Sequence, residues 1–98
     1  MTDDELNKKL AEAMNIKPEK VRTQSASLLP EVSFFNPVNY KDPAIFAENV
    51  KWLARKNLHL QPGAWEGLFE IVGTDWVVED EDPCKAVALA RIEASQHE

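Results

Sequence analysis

One cysteine, Cys84, is all that 98 residues carry, so no disulfide can form within the chain and a disulfide-stapled scaffold is excluded. Glycine is almost as scarce, with only Gly63, Gly67 and Gly73. A dinucleotide fingerprint or a phosphate-binding loop needs closely spaced glycines so that backbone N–H groups can approach phosphate, and this spacing supplies neither. Histidine is limited to His59 and His97. No apolar run approaches the ~20 residues that span a bilayer. The opening Met1-Thr2-Asp3-Asp4-Glu5 is acidic, whereas a secretory signal begins basic and continues apolar. The cytoplasm is therefore the expected location. Lys and Arg number 11 against 17 Asp and Glu, a net charge of -6, and they form no basic cluster of the kind that grips a phosphate backbone. Direct nucleic-acid binding is not expected, and neither is a membrane partner.

What is present suits one globular domain over 1–98. Hydrophobic residues make up 44% and charged residues 29%, enough for a core and for a solvated surface. Thr2 and Glu5 have the spacing of a capping box, and Leu6, Leu10, Ala13 and Met14 fall on one face of a helix that ends near Asn15 and Pro18. Residues 17–41 read as an irregular segment wrapping the core, anchored by Leu29, Phe34 and Phe35, with room for one strand in 20–36. Asp42-Pro43 opens a second helix. Its expected core stripe is Phe46, Val50, Leu53 and Ala54 beside Ala47, with Asn57 closing it.

The period then changes to two. Leu58 and Leu60 alternate with polar residues, Trp65–Val72 reads as a strand, and Trp76–Glu79 as another, separated by turns at Pro62-Gly63 and Gly73-Thr74-Asp75. Asp82-Pro83 opens a last helix, with Cys84, Ala88, Leu89 and Ile92 as its buried face and 95–98 as a frayed tail. The expected fold is α+β: a small antiparallel sheet of about three strands covered by helices, in the order α-α-β-β-β-α.

Several of these segments resemble a known family. Asn36-Pro37-Val38-Asn39-Tyr40, Asp42, Phe46, Val50-Lys51-Trp52-Leu53 and the closing Glu79-Asp80-Glu81-Asp82-Pro83-Cys84-Lys85-Ala86-Val87-Ala88-Leu89-Ala90 look like the phage ABA-sandwich domain and the related NinX-like small phage proteins. The opening Thr2–Leu6 helix also looks similar. The resemblance implies a phage or prophage origin, the cytoplasm of a host cell and an α+β sandwich. It brings no catalytic residues with it.

Candidate chemistry is sparse. Cys84 and His59 are the nominal nucleophile–base pair, but acidic residues 79–82 precede Cys84 and oppose thiolate formation, so Cys84 reads as a small core residue. No catalytic, cofactor or metal site is expected. The acidic run Glu79, Asp80, Glu81, Asp82 lacks the central glycine and trailing ligand of a calcium loop. One reading makes it a helix cap with solvated neighbours; the other makes it an acidic surface that imitates nucleic-acid phosphates and enters a basic groove on a partner. Ile45 and Trp52 lie seven apart on the second helix, displaced from its main stripe. Either residues 17–41 cover them or they face a partner. Ile45, Trp52, Glu79, Asp80 and Glu81 are thus the candidate partner-binding residues.

The expected function is a small phage accessory protein that binds a host protein, such as defence or nucleic-acid-handling machinery, with anti-CRISPR-like inhibition as one version. The alternative is a self-associating structural or virion-associated protein, with a homodimer through exposed strand edges as its simplest form. An enzyme is not expected.

Overall fold

The computed structural model describes residues 1–23 and 31–97, with the backbone alone for 20–23 and 31–34. Local signals start all three helices and stop the first two. Helix α1 spans Asp3–Ala13, and its cap Thr2 accepts a hydrogen bond at Oγ1 from the Glu5 N–H at 3.2 Å. Helix α2 spans Pro43–Arg55 and α3 spans Pro83–Gln96. Both open on an Asp-Pro pair in which the Asp carboxylate accepts the N–H two residues on, Ala44 to Asp42 and Cys84 to Asp82, each at 2.9 Å. Proline fits the first helical position because its missing N–H would have no partner there.

Asparagine closes α1 and α2 in the same way. Asn15 and Asn57 both stand at φ 59, in the left-handed region that Asn tolerates best after Gly. Ile16 N–H then bonds the Ala11 carbonyl and Leu58 N–H the Leu53 carbonyl, each at 2.9 Å. These are Schellman closures, and they satisfy carbonyls that the helix ends would otherwise leave open.

The fold is α+β, as expected. Strands β1 (Glu19–Thr23) and β2 (Glu31–Phe35) form an antiparallel pair, and β3 (Gln61–Pro62), β4 (Phe69–Val72) and β5 (Val77–Asp80) form an antiparallel meander in that order. Helix α3 is the hub. It packs on α1, α2, β4 and β5, and seven of its residues from Ala86 to Ala94 are buried, including Arg91. A helix apolar or small nearly all round is a central helix. Two cores flank it. Leu6, Leu10, Ala11, Val38 and Tyr40 meet Ala88 and Ile92 on one side; Leu53, Ile71 and Val78 meet Ala86, Val87, Ala90 and Ala94 on the other. The alanines let these layers approach closely. The reading of α3 as buried along one stripe therefore understates it, and the helix continues to Gln96 where a frayed tail was expected from 95.

Three further differences have physical causes. In α2 the residues turned inward are Asn49 and Leu53, with Ile45, Phe46 and Trp52 half-buried, while Ala47, Val50 and Ala54 are exposed. The helix is rotated from the purely apolar stripe because Asn49 Oδ1 accepts a hydrogen bond from Arg91 Nη1 at 3.2 Å, which makes a buried polar residue tolerable. In the meander, β4 begins at Phe69 rather than Trp65. Gly67, at φ 85, turns the chain before it, and Trp65 is left in the loop, 73% exposed. Gly73 is required by close approach, since a Cβ there would overlap the Trp76 indole.

The third difference is the segment 17–41. It supplies two strands rather than one, and among the described residues they pack on each other and on no other helix or strand. Of the expected anchors, Phe35 is exposed, while Leu29 and the Phe34 side chain lie outside the described parts. The segment's hold on the core comes after the strands, from buried Val38 and Tyr40.

Candidate partner-binding surface

The chemistry-bearing residues sit apart. Cys84 is half-buried against the first core, and burial, then the neighbouring Asp82 carboxylate, raise its thiol pKa. A raised pKa is the opposite of what a nucleophilic thiol needs. His59 lines a shallow cavity with Val50, Leu53, Leu58, Leu60 and Val87, over the second core. Among the described residues no group of His, Cys, Asp or Glu is placed to hold a metal ion. No helix there is long and apolar enough to cross a membrane.

A charged cluster holds the first core in place. Tyr40 Oη donates to Asp3 Oδ1 at 3.0 Å, Lys41 Nζ lies 3.1 Å from Asp3 Oδ2, and the Tyr40 N–H donates to Asn7 Oδ1 at 2.9 Å. Hydrogen bonds from Lys41 and then Tyr40 lower the Asp3 pKa, and burial raises that of Tyr40. This cluster ties the strap that follows β2 to the start of α1.

The acidic run divides in two. Asp80 Oδ1 accepts the Asp82 N–H at 2.9 Å, and Asp82 in turn caps α3. These two carboxylates shape the corner between β5 and α3. Glu79 and Glu81 are exposed. Ile45 packs against the first core, and Trp52 against the second. The Arg91 guanidinium lies 4.3 Å from the Trp52 ring centre and Lys56 Nζ 5.4 Å, within cation–π range. The sequence-derived residues thus do not form one patch: Ile45 and Trp52 belong to two core margins, and Glu79 stands on the sheet.

The sheet shows a surface that the alternation of residues did not single out. Helix α3 covers its inner face, where Ile71 and Val78 stand opposite one another and are buried. On the outer face Val72 pairs with Val77, and both are about half exposed. Beside them Glu70 pairs directly with Glu79, and Gln61 Nε2 donates to Glu70 Oε1 at 2.7 Å. Among the described residues no helix covers this face. The segment that carries this face is also the acidic part of the chain. Between Asn57 and Cys84 the sequence holds seven Asp and Glu and no Lys or Arg, while the rest of the chain carries one more base than acid. Glu70, Val72 and Val77 were missed because a face can be assigned only once the strand register is known. The run without a cation was the signal that could have found them.

No protein-family model, curated protein or solved structure matches the chain.

Proposed function

We propose that this protein works by binding rather than catalysis, and that the outer face of the β3–β4–β5 sheet is its contact surface for a basic patch on another protein. The observation that carries the reading is the Glu70–Glu79 pair. Like charges directly opposite across a strand pair are destabilising, by about 0.2–1 kcal/mol on the scale of such pairs. A face selected for stability alone would put a cation at one of the two positions. Local rules are most often broken where a surface has another use. Here the broken rule sits beside an exposed apolar pair, Val72 and Val77, with Glu81 nearby in sequence. Apolar centre and acidic surround suit a cationic partner, and the one-sided field speeds its encounter.

The resemblance to small phage proteins supports a phage or prophage accessory protein whose target is a host protein of defence or nucleic-acid handling. Such targets carry basic grooves for phosphate, and an acidic face can occupy one. Anti-CRISPR-like inhibition is one form this takes. The test is capture from host lysate with the wild type beside Glu70→Lys/Glu79→Lys and Glu79→Lys/Glu81→Lys forms, followed by association kinetics of the captured protein at two salt concentrations. A stoichiometric basic partner lost with both variants, and an association rate that falls as salt rises, is the expected result. A partner held equally by the reversed forms at a salt-independent rate removes the reading.

A further inference from the structure

The β1–β2 pair is a ladder of five residue pairs, from Glu19 opposite Phe35 to Thr23 opposite Glu31. Among the described residues no helix or other strand packs on it, and a lone two-stranded pair is marginal in water, where a third strand or a helix gives independent stability. This pair leaves the body as an arm. The chain measures 56 × 28 × 21 Å with a radius of gyration of 16.2 Å, where a compact chain of this length has about 13 Å.

The composition of the two strands says which edge can be extended, and by what. Pair β2 with a second β2, antiparallel about a twofold axis at Ser33. Val32 of each copy then stands opposite Phe34 of the other, Glu31 opposite Phe35, and no two like charges meet. The same operation on β1 about Val21 puts Lys20 opposite Arg22, which is repulsive. One edge is self-complementary and the other is blunted by cations, a recognised guard against strand addition.

We infer that two copies of this chain pair through β2, centred on Ser33, into a four-stranded sheet in the order β1–β2–β2–β1. The existing register sets Lys20 opposite Phe34 and Arg22 opposite Val32. Each of two rows across the new sheet therefore reads Lys20, Phe34, then Val32 and Arg22 of the second copy. The apolar pairs lie at the centre and the cations on the outer strands, so growth stops at two and the symmetry closes. Phe35, exposed at the foot of β2, gains a neighbour in the process. The proposal is independent of what the acidic sheet binds. Its consequence for that reading is a dimer that presents two such faces, with the gain in avidity that linkage brings.

The test uses the full chain in a Cys84→Ala background. Residues at a twofold axis face their own counterparts at about 4.5–5.5 Å between Cβ atoms, within reach of a disulfide after small adjustment. Ser33→Cys is expected to give a covalent dimer under mild oxidation, and Thr23→Cys on the outer strand is not. Sedimentation of the wild type is expected to show a monomer–dimer equilibrium, and Phe34→Lys to weaken it by about tenfold or more, since two cross-strand pairs are lost at once. A monomer throughout the micromolar range overturns the proposal. So does a dimer that survives Phe34→Lys, or cross-linking that is equal at Ser33 and Thr23.

Discussion

The β1–β2 and β4–β5 pairs of this protein have strands of similar length and opposite surroundings. In the β4–β5 pair, α3 lies across one face, and Ile71 and Val78 are buried beneath it. The β1–β2 pair has apolar residues of its own, Val21, Val32 and Phe34, and no element of the same chain packed against it among the described residues. Strand pattern is much the same in both. A neighbouring helix decides which becomes core and which becomes an arm. Charge differs as well: the outer face of the β4–β5 pair sets Glu70 against Glu79, while β1 carries Lys20 and Arg22 beside Glu19.

The comparison breaks most readily at Ile71. Ile71→Ala removes a fully buried side chain where α3, β4 and β5 meet, and should cost about 2–5 kcal/mol, read as a lower melting temperature or denaturant midpoint. Val32→Ala in the arm should change the melt of a dilute sample by no more than about 0.5 kcal/mol. Equal losses at the two sites would mean the arm is part of the body's cooperative unit.

Trp52 sharpens the contrast from the other side. Its half-buried ring, against the second core with Arg91 at 4.3 Å, makes Trp52→Ala a stability mutation. A loss of about 2–3 kcal/mol is expected, somewhat below that for a fully buried aromatic. If the melt is unchanged while binding of a partner fails, Trp52 is a contact residue and the proposed surface must extend from the sheet to α2.

How far the sequence could lead is clear from these same residues. The caps at Thr2, Asp42-Pro43 and Asp82-Pro83 and the closure at Asn57 were legible because their partners lie within a few positions. The α-α-β-β-β-α order followed from the change of period between helices and strands. The inward face of α2 was not legible, because Asn49 is polar and its partner Arg91 lies 42 residues on. One strand was legible in 20–36 but not the pair at 19–23 and 31–35, because Phe34-Phe35 breaks the alternation and Pro18 and Pro30 frame the segment as loop. Of the candidate site, Glu79 and Glu81 could be found as part of an acidic run. That Asp80 and Asp82 are bound into the corner while Glu79 faces Glu70 depends on register, which only pairing reveals.

The outer face of the sheet predicts a smaller effect of unusual sign. Glu79→Gln removes a like-charge pair without changing shape, so stability should rise by about 0.2–1 kcal/mol, most clearly at low salt. The same substitution should slow association with a cationic partner. A variant that melts lower, or that associates faster, would take away the argument that this face carries a cost in stability for the sake of contact.

The smallest effect concerns the strap that joins the arm to the body. Tyr40 is buried, and its Oη donates to the Asp3 carboxylate. Burial first, and that hydrogen bond second, raise its pKa above the ordinary 10.0. The folded state thus holds the phenolic proton more tightly than the unfolded chain does. The resulting stabilisation is complete below about pH 10 and is lost as pH rises through the folded value. Asp3 works in the reverse sense: its lowered pKa gives a contribution present above its ordinary 3.8 and lost as pH falls through the folded value. Lys41, raised chiefly by its hydrogen bond to Asp3, also loses its contribution on the alkaline side, so two variants are needed to separate them. Melting followed from pH 9 upward should fall more steeply for the wild type than for Tyr40→Phe, with Lys41→Met keeping the tyrosine's share of the slope. Coincident slopes for wild type and Tyr40→Phe would leave Val38 packing, rather than the Tyr40–Asp3 hydrogen bond, as what holds the strap. The arm would then be anchored to the body by apolar burial alone, as the inner face of the other sheet is.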